Sequence, residues 1–376
     1  MNVQGSLPIF NGFQLKNTIK QNELAFAGAT MEWQQRKDEL TLQVILAYLL
    51  VLNSEDAIVL AQQQATVTKQ QVDRLNIIAN EGATPPGNLS DLKGQYAGEQ
   101  LALVNTENAY ASNLLALTQL MNIPYNDKIQ LDRAGVIEDV KQFTALPDEI
   151  YALSLQKLAS VKAADLRVNS SMAAVKVANA ARYPTVSIFG GASTRFSSLA
   201  SLNNVISTSD KPNGEYVVYN GVNLPVLSSQ SDYESKPISY SSQFKNNISK
   251  GAGVNISIPI FNAFRTNSAV KLAKNNEMGS RLLAENIKVQ LRQSIEQAFI
   301  NINAVYKRYN ALLEQADAYG ESFRIASIRF ENGVINSPEF LIAKNNLDRT
   351  NANLIIAKYE YMLRKKILDF YMGQLN

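Results

Sequence analysis

Apolar residues recur in alternating steps of four and three along two long stretches of the chain. Leu40, Val44 and Ala47 begin the first series, and Leu291 and Ile295 begin the second. The mean spacing of 3.5 residues is typical of helices that pack as a left-handed coiled coil. The pattern therefore predicts helices whose seam faces another helix throughout.

Both stretches are long and free of proline. Each of the segments 14–81 and 265–332 predicts one helix of roughly 100 Å, at 1.5 Å per residue. Gly82 and Gly333 follow them, and glycine favours the left-handed conformation that ends many helices. Return helices are predicted over 89–121 and 338–371. The fold class is therefore mainly α, built from very long antiparallel helical hairpins.

Upstream of each long helix the apolar period changes from 3.5 to 2, which is typical of strands. Strands are predicted over 2–10, 184–195 and 247–261. Such strands could form a membrane β-barrel or a half-buried soluble sheet. The barrel is favoured because Pro8, Pro184 and Pro259 join each strand almost directly to a helix and are expected to act as strand–helix swivels. The Ser-, Asn- and Tyr-rich segment 196–245 is expected to be a long outer loop, as outer-membrane barrels have.

The two hairpins are copies of one another. Residues 7–13 (LPIFNGF) recur as 258–264 (IPIFNAF), and the same offset of 251 places Met121 on Met372. A single offset without gaps over this length indicates internal duplication. The predicted domains are a partial first repeat, a linker region with a short helix, and a second repeat that opens with a helix. Their ranges are 1–122, 123–160 and 161–376, with the opening helix at 161–182.

Composition narrows the possible chemistry. The 376 residues include no cysteine and no histidine, and the net charge is +3. Thiol and imidazole catalysis and Cys- or His-ligated metals are thereby excluded. No catalytic, cofactor-binding or metal site is predicted, and the balanced charge does not favour nucleic acid. No run of about 18 apolar residues is apparent, so no membrane-spanning helix is expected.

The duplicated strand–Pro–Phe–Asn junction, long helix, Gly-capped turn and return helix resemble the TolC-like outer-membrane efflux protein family. The resemblance covers essentially the whole chain. It implies a homotrimer that forms one β-barrel in outer-membrane lipid and one helical tunnel in the periplasm. It also implies docking to a periplasmic adaptor, which couples the duct to an inner-membrane pump. A passive duct of an efflux or type I secretion system has no active site.

The resemblance assigns roles to the periplasmic ends of the hairpins. The expected adaptor-docking residues occupy the two tips: Gly82, Ala83, Thr84, Gly333, Val334 and Ile335. The first tip departs from the family pattern, because Pro85, Pro86 and Gly87 follow it. Charged residues beside the second tip are either an aperture ring or ordinary solvated charges: Arg329, Glu331 and Glu339.

Two expectations concern the whole assembly. Only Met1 and Asn2 precede the first copy of the strand, whereas a helix pair, a strand and a long segment precede the second. The chain is therefore expected to be N-terminally truncated and, with an unpaired strand edge, unable to form the working pore alone. The alternative to an export duct is a soluble periplasmic coiled-coil tether or scaffold with a small β-tip.

Overall fold

The computed structural model describes residues 1–81, 86–133 and 140–374. The elements in chain order are β1 (Asn2–Asn11), α1 (Gln14–Asn80), α2 (Pro86–Leu120), α3 (Pro147–Lys157), α4 (Ala159–Ala180), β2 (Thr185–Ser193), β3 (Ser201–Tyr219), β4 (Val222–Pro237), α5 (Tyr240–Asn246), β5 (Ser249–Ser257), α6 (Arg265–Glu331) and α7 (Ser337–Tyr371). The fold is mainly helical, with antiparallel strands.

The two helical hairpins have the same helix lengths and matching helix ends. α1 and α6 each contain 67 residues, and α2 and α7 each contain 35. Adding 251 to the bounds of α1 (14 and 80) and of α2 (86 and 120) gives those of α6 (265 and 331) and of α7 (337 and 371). The duplication therefore extends to the helix ends. The predicted stop at Gly82 lies outside the described residues.

The chain divides into two compact units. One contains Met1–Ile19 and Ala173–Lys274, and the other contains Lys20–Met172 and Asn275–Asn376. The first holds all five strands, and the second holds most of the long helices.

Three strands of the first unit form an antiparallel sheet in the order β1-β2-β5. Leu7 of β1 is paired with Ile188 of β2, which is in turn paired with Val254 of β5. All three side chains are exposed. An uninterrupted apolar row across the sheet is thus available to an apolar environment outside the chain.

The segment 196–245 is not a loop, and that prediction is wrong. β3 and β4 pair along their length as an antiparallel hairpin, and α5 follows. The hairpin turns at Asn220 and Gly221, with φ of +50° and +80°. An Asn-Gly pair is a strong hairpin signal, because both residues tolerate positive φ. The strands escaped prediction because both of their faces are exposed and largely polar, so no apolar alternation appears.

The connections that lead into the two long helices are also duplicated. Gly12 and Phe13 have φ of +64° ahead of α1, and Ala263 and Phe264 have φ of +51° and +61° ahead of α6. Each pair thus turns the chain through the left-handed region just before the helix begins. The first connection is also sterically crowded, because a Cβ on Gly12 would lie 2.5 Å from the carbonyl oxygen of Ala180. Only glycine fits the first copy.

The three prolines expected to act as swivels flank this region. Pro8 lies in β1 beside a register shift in its pairing with β2. Pro184 immediately precedes β2, and Pro259 follows the end of β5. Their role as swivels remains a prediction.

Helix α1 contains a more apolar stretch than was expected from the sequence. It contains an 18-residue window of mean hydropathy 1.9, long and apolar enough to cross a membrane by length and composition alone. The expectation that no such stretch exists is therefore wrong. α1 packs against two helices: Ala47 and Val51 join a buried cluster with α2, and Leu49 and Leu52 join another with α7. Two apolar seams on one helix raise its mean hydropathy.

The second hairpin has its own core. Leu291, Ile295 and Ile302 of α6 pack with Tyr361 and Leu368 of α7. Ile150 of α3 and Val161 of α4 belong to the same cluster. Leu291 and Ile295, which begin the second predicted series, are buried, whereas Leu40, which begins the first, is 47% exposed.

Candidate docking site at the hairpin tip

The second hairpin turns through a tight glycine cap. Gly333 has φ of +71°. The backbone N–H of Gly333 donates to the carbonyl oxygen of Phe330 at 3.1 Å, and that of Val334 donates to Arg329 at 2.8 Å. These two bonds make a Schellman motif, which satisfies the last carbonyls of α6. The motif holds Val334 at the turn with 63% of its surface exposed.

Helix α7 begins at Ser337, one residue before the predicted start at 338. Asn336 is the N-cap, and its side chain accepts from the N–H of Glu339 at 3.0 Å. Ser337 is buried and its hydroxyl donates to Asp91 at 2.8 Å and to Asn88 at 3.1 Å. Ser337 therefore links the second hairpin to the first.

Helix α2 begins at Pro86, three residues before the predicted start at 89, so Asn88 and Asp91 lie within its first turns. The side-chain oxygens of both residues accept hydrogen bonds from Ser337. The start of α2 is therefore bonded to the start of α7.

One of the three charged residues predicted beside the tip has a partner there. Glu331 forms a 4.0 Å ion pair with Arg74 of α1, and Arg74 also donates to the Glu331 backbone carbonyl. Arg329 and Glu339 are exposed. An exposed ion pair contributes little to stability. The aperture role of Arg329, Glu331 and Glu339 remains a prediction.

A cluster of aromatic rings packs next to the tip of the second hairpin. Phe340 is fully buried, with its ring centroid 4.7 Å from Phe330 and 5.7 Å from Phe323. The surrounding apolar residues come from the first hairpin: Val72, Leu75 and Leu92. A cavity of about 460 Å³ opens beside this stack and is bordered by Val334 and Ile335. The tip is thus an exposed apolar turn on a rigid base.

A buried ion cluster lies further along α7. The ammonium of Lys344 is 2.8 Å from Glu99 of α2 and 2.5 Å from Asp348. Lys344 is 1% exposed. Gln95 also donates to Glu99, and Gln64 of α1 donates to the Asp348 backbone carbonyl. The cluster ties three helices of the two hairpins together.

Burial raises the pKa of Asp348, Glu99 raises it further, and Lys344 opposes both. A carboxyl whose pKa is higher in the folded than in the unfolded state favours folding most when it is protonated. The contribution of Asp348 to the free energy of unfolding should therefore fall as the pH rises from the ordinary carboxyl range through the raised pKa.

The prediction is measured by urea unfolding of the native protein and of Asp348→Asn over a series of pH values. The native protein should lose stability relative to the variant as the pH rises. A relative gain over the same range would contradict the prediction.

Sequence reasoning missed the residues that join the hairpins: Arg74, Asn88, Asp91, Glu99 and Lys344. One signal was present, because Lys344 follows Phe340 at a spacing of four on the packed side of α7. Partners more than 240 residues away in sequence left no local trace. Gly82, Ala83 and Thr84 lie outside the described residues, and their docking role stays a prediction. Within residues 1–81, 86–133 and 140–374 there is no group of three Asp or Glu suited to a metal ion.

Several solved structures share this fold. The chain superposes on the Campylobacter jejuni CmeC outer membrane channel with a TM-score of 0.73, at 15% identity, covering 100% of this chain and 71% of that one. Against the open state of the Neisseria gonorrhoeae MtrE outer membrane channel the TM-score is 0.73, at 14% identity, covering 100% and 78%. These likenesses define the class of fold: long antiparallel helical hairpins together with antiparallel strands.

The sequence identifies the family within that class. The profile of the outer membrane efflux protein family matches residues 1–122 and 150–374. The outer membrane protein TolC of Salmonella enteritidis is 26% identical over 124 residues, which are 33% of this chain and 25% of that protein. The match thus spans a quarter of that relative's length. The chain belongs to the outer membrane efflux protein family.

Membership places the protein in the outer membrane, extending into the periplasm. The family is one of outer-membrane channels rather than of enzymes. The expected resemblance and the mainly helical fold class are confirmed.

Proposed function

We propose that this chain is the outer-membrane channel component of a tripartite efflux or type I secretion system, in which three copies form one passive duct. The duplicated pair of hairpins carries the proposal. Two hairpins of equal length joined to strands of one sheet provide two equivalent wall segments per chain. Six such segments from three chains would surround a helical tunnel.

The strand sheet supports a membrane position for one end of the duct. Its row of Leu7, Ile188 and Val254 is exposed. In a closed barrel such rows would face outer-membrane lipid.

The hairpin tips are the proposed contact with a periplasmic adaptor, which couples the duct to an inner-membrane pump. Val334 is an exposed apolar residue on a rigid turn, which suits a contact with another protein. By duplication the first tip, with Gly82, Ala83 and Thr84, would offer a second contact, and Arg329, Glu331 and Glu339 would stand beside the opening. The chain itself needs no cofactor for this role and is proposed not to be an enzyme.

Fractionation of expressing cells tests the proposal. The duct should appear in the outer-membrane fraction, require detergent for extraction, and show the mass of three chains by light scattering in detergent. Recovery as a detergent-free oligomer in the soluble periplasmic fraction would instead support the coiled-coil tether.

A further inference from the structure

The β3–β4 hairpin is almost uncovered within the chain. None of the residues of β3 or β4 is buried, and most of them are exposed. A two-stranded sheet without a packing partner is at best marginally stable in water. A partner from outside the single chain is therefore needed to stabilise these two long strands.

The base of the hairpin is held rigidly. Gln243 of α5 is 3% exposed, and its side-chain amide nitrogen donates to the carbonyl oxygens of Ser197 and Ile238, each at 2.9 Å. Its amide oxygen accepts from the backbone N–H of Ser197 at 2.9 Å. These bonds tie the segments before β3 and after β4 to α5. The direction in which the hairpin leaves its base is thus fixed.

The half of the hairpin nearest its turn has an apolar face, which we call the distal face. Val217 is paired with Leu224, and Tyr219 with Val222. Residues two apart along a strand lie on the same side of the sheet, so these four side chains form one patch. Each of them is between 49% and 66% exposed. A contiguous exposed apolar patch of this kind indicates a contact with another molecule.

The edges of the hairpin are poorly suited to that contact. Pro212 in β3, and Pro225 and Pro237 in β4, have no backbone N–H to donate to a further strand. Prolines on an edge protect it against the addition of another strand. A partner therefore has to pack on a face of the hairpin.

The hairpin lies at the end of the three-stranded sheet away from the long helices. β2 follows α4 and β5 precedes α6, so the helices adjoin Thr185 and Ser257, which are paired. The hairpin connects the opposite ends of the two strands, Ser193 and Ser249, which are also paired. With the helices in the periplasm, as the proposed function requires, the hairpin lies outside the cell.

We infer that the distal face packs against the distal faces of two further copies of this chain. Three chains in one barrel would place three hairpins around one axis, so this partner is present in fixed proportion whenever the channel is assembled. The inference rests on the proposed function, which supplies the three copies. The joined tips would form an apolar cap beyond the outer mouth of the duct.

The charge pattern suits a contact between identical copies. Residues 216–231 contain no charged side chain, so three copies of the tip would not repel one another. Nearer the base, on the same face, Lys211 and Asp232 form an ion pair at 3.0 Å, and Lys236 and Glu234 form another at 2.8 Å. The contact is therefore expected to cover the distal face and to end where these ion pairs begin.

Cross-linking tests the contact, because the chain contains no cysteine. The variant Val217→Cys is extracted in detergent as the full chain and treated with a short bis-maleimide at several protein concentrations. Equivalent residues that face a threefold axis approach one another, so denaturing gels should show covalent dimers. The dimer fraction should not depend on protein concentration, because the contact lies within one trimer.

The neighbouring valine is the matched control. Val218 is as exposed as Val217, at 63% against 60%, but it is paired with Asn223 on the opposite face. Val218→Cys should therefore give several-fold less dimer. In a second measurement, Val217→Asp should be cut by chymotrypsin at the hairpin several-fold faster than the native protein, because three like charges would separate the tips. Val218→Asp should be cut at close to the native rate.

The outcomes separate this inference from the proposed function. A trimer by light scattering in which Val217→Cys gives no more dimer than Val218→Cys overturns the contact and leaves the duct standing. The distal face would then be open to a different partner, such as a lipid surface or another protein. A dimer fraction that rises with protein concentration would show contact between separate trimers, which also overturns the inference. A chain that remains single in detergent overturns both proposals.

Discussion

Replacing Lys344 with methionine should destabilise the helical unit by about 3–5 kcal/mol, the usual loss when one partner of a buried ion pair is removed. The substitution keeps an unbranched side chain of similar length, so the lost interaction is mainly electrostatic. Glu99 and Asp348 would be left facing each other in a buried site, and Glu99 already has one oxygen without a hydrogen-bond partner in the described structure. Urea unfolding followed by far-ultraviolet circular dichroism measures the loss.

The duplicate position supplies the control for this prediction. Lys93→Met makes the same change at the corresponding, exposed site on α2 and should alter the free energy of unfolding by no more than about 0.5 kcal/mol. The triple variant Lys344→Met/Glu99→Met/Asp348→Leu should recover most of the loss, because replacing a whole buried ion cluster by apolar side chains is often close to neutral. Equal effects of Lys344→Met and Lys93→Met would show that the cluster does not stabilise the fold.

Phe340→Ala should also cost about 3–5 kcal/mol, because truncating a buried aromatic side chain leaves a cavity as well as removing apolar contact. Phe340 is fully buried and contacts two rings, at 4.7 and 5.7 Å between centroids. These rings come from α6, and further residues of the cluster come from the first hairpin. The loss of stability should therefore be greatest at the tip of the second hairpin. Limited proteolysis should cut the variant there faster than it cuts the native protein.

Leu89 is the duplicate of Phe340 and is only half-buried. Leu89→Ala should therefore cost clearly less than Phe340→Ala in the same unfolding measurement. An equal or larger effect at Leu89 would contradict the assignment of Phe340 as the main support of the tip.

Much of the fold could be predicted from the sequence because coiled-coil helices are specified locally. Their seam repeats every 3.5 residues, their ends carry glycine and capping residues, and the duplication provides each signal twice. The strands beside the long helices also show their alternation. The β3–β4 hairpin could not be predicted this way, since strands exposed on both faces need no apolar period, although the Asn220–Gly221 turn was a usable signal.

The candidate site was only partly predictable. Gly333 could be placed at a turn because a left-handed residue at a helix end favours glycine. The partners of Glu331, Ser337 and Lys344 could not be placed. Apart from Asp348, which lies on α7 itself, they belong to the other hairpin, and no periodicity within α6 or α7 encodes which residues of α1 or α2 will face them.

The sequence by itself determined the duplication, the long helices, their seams and the family to which the chain belongs. These properties depend on the order of residues along one helix or strand, and sequence records that order directly. Only the tertiary structure decided how the hairpins meet: that Lys344 is buried and its duplicate Lys93 exposed, and that Leu49 is covered and its duplicate Ile300 open. Duplicate sequences have the same local conformational preferences. The burial of a residue depends instead on which helix packs against it, and each hairpin contacts the other through a different face.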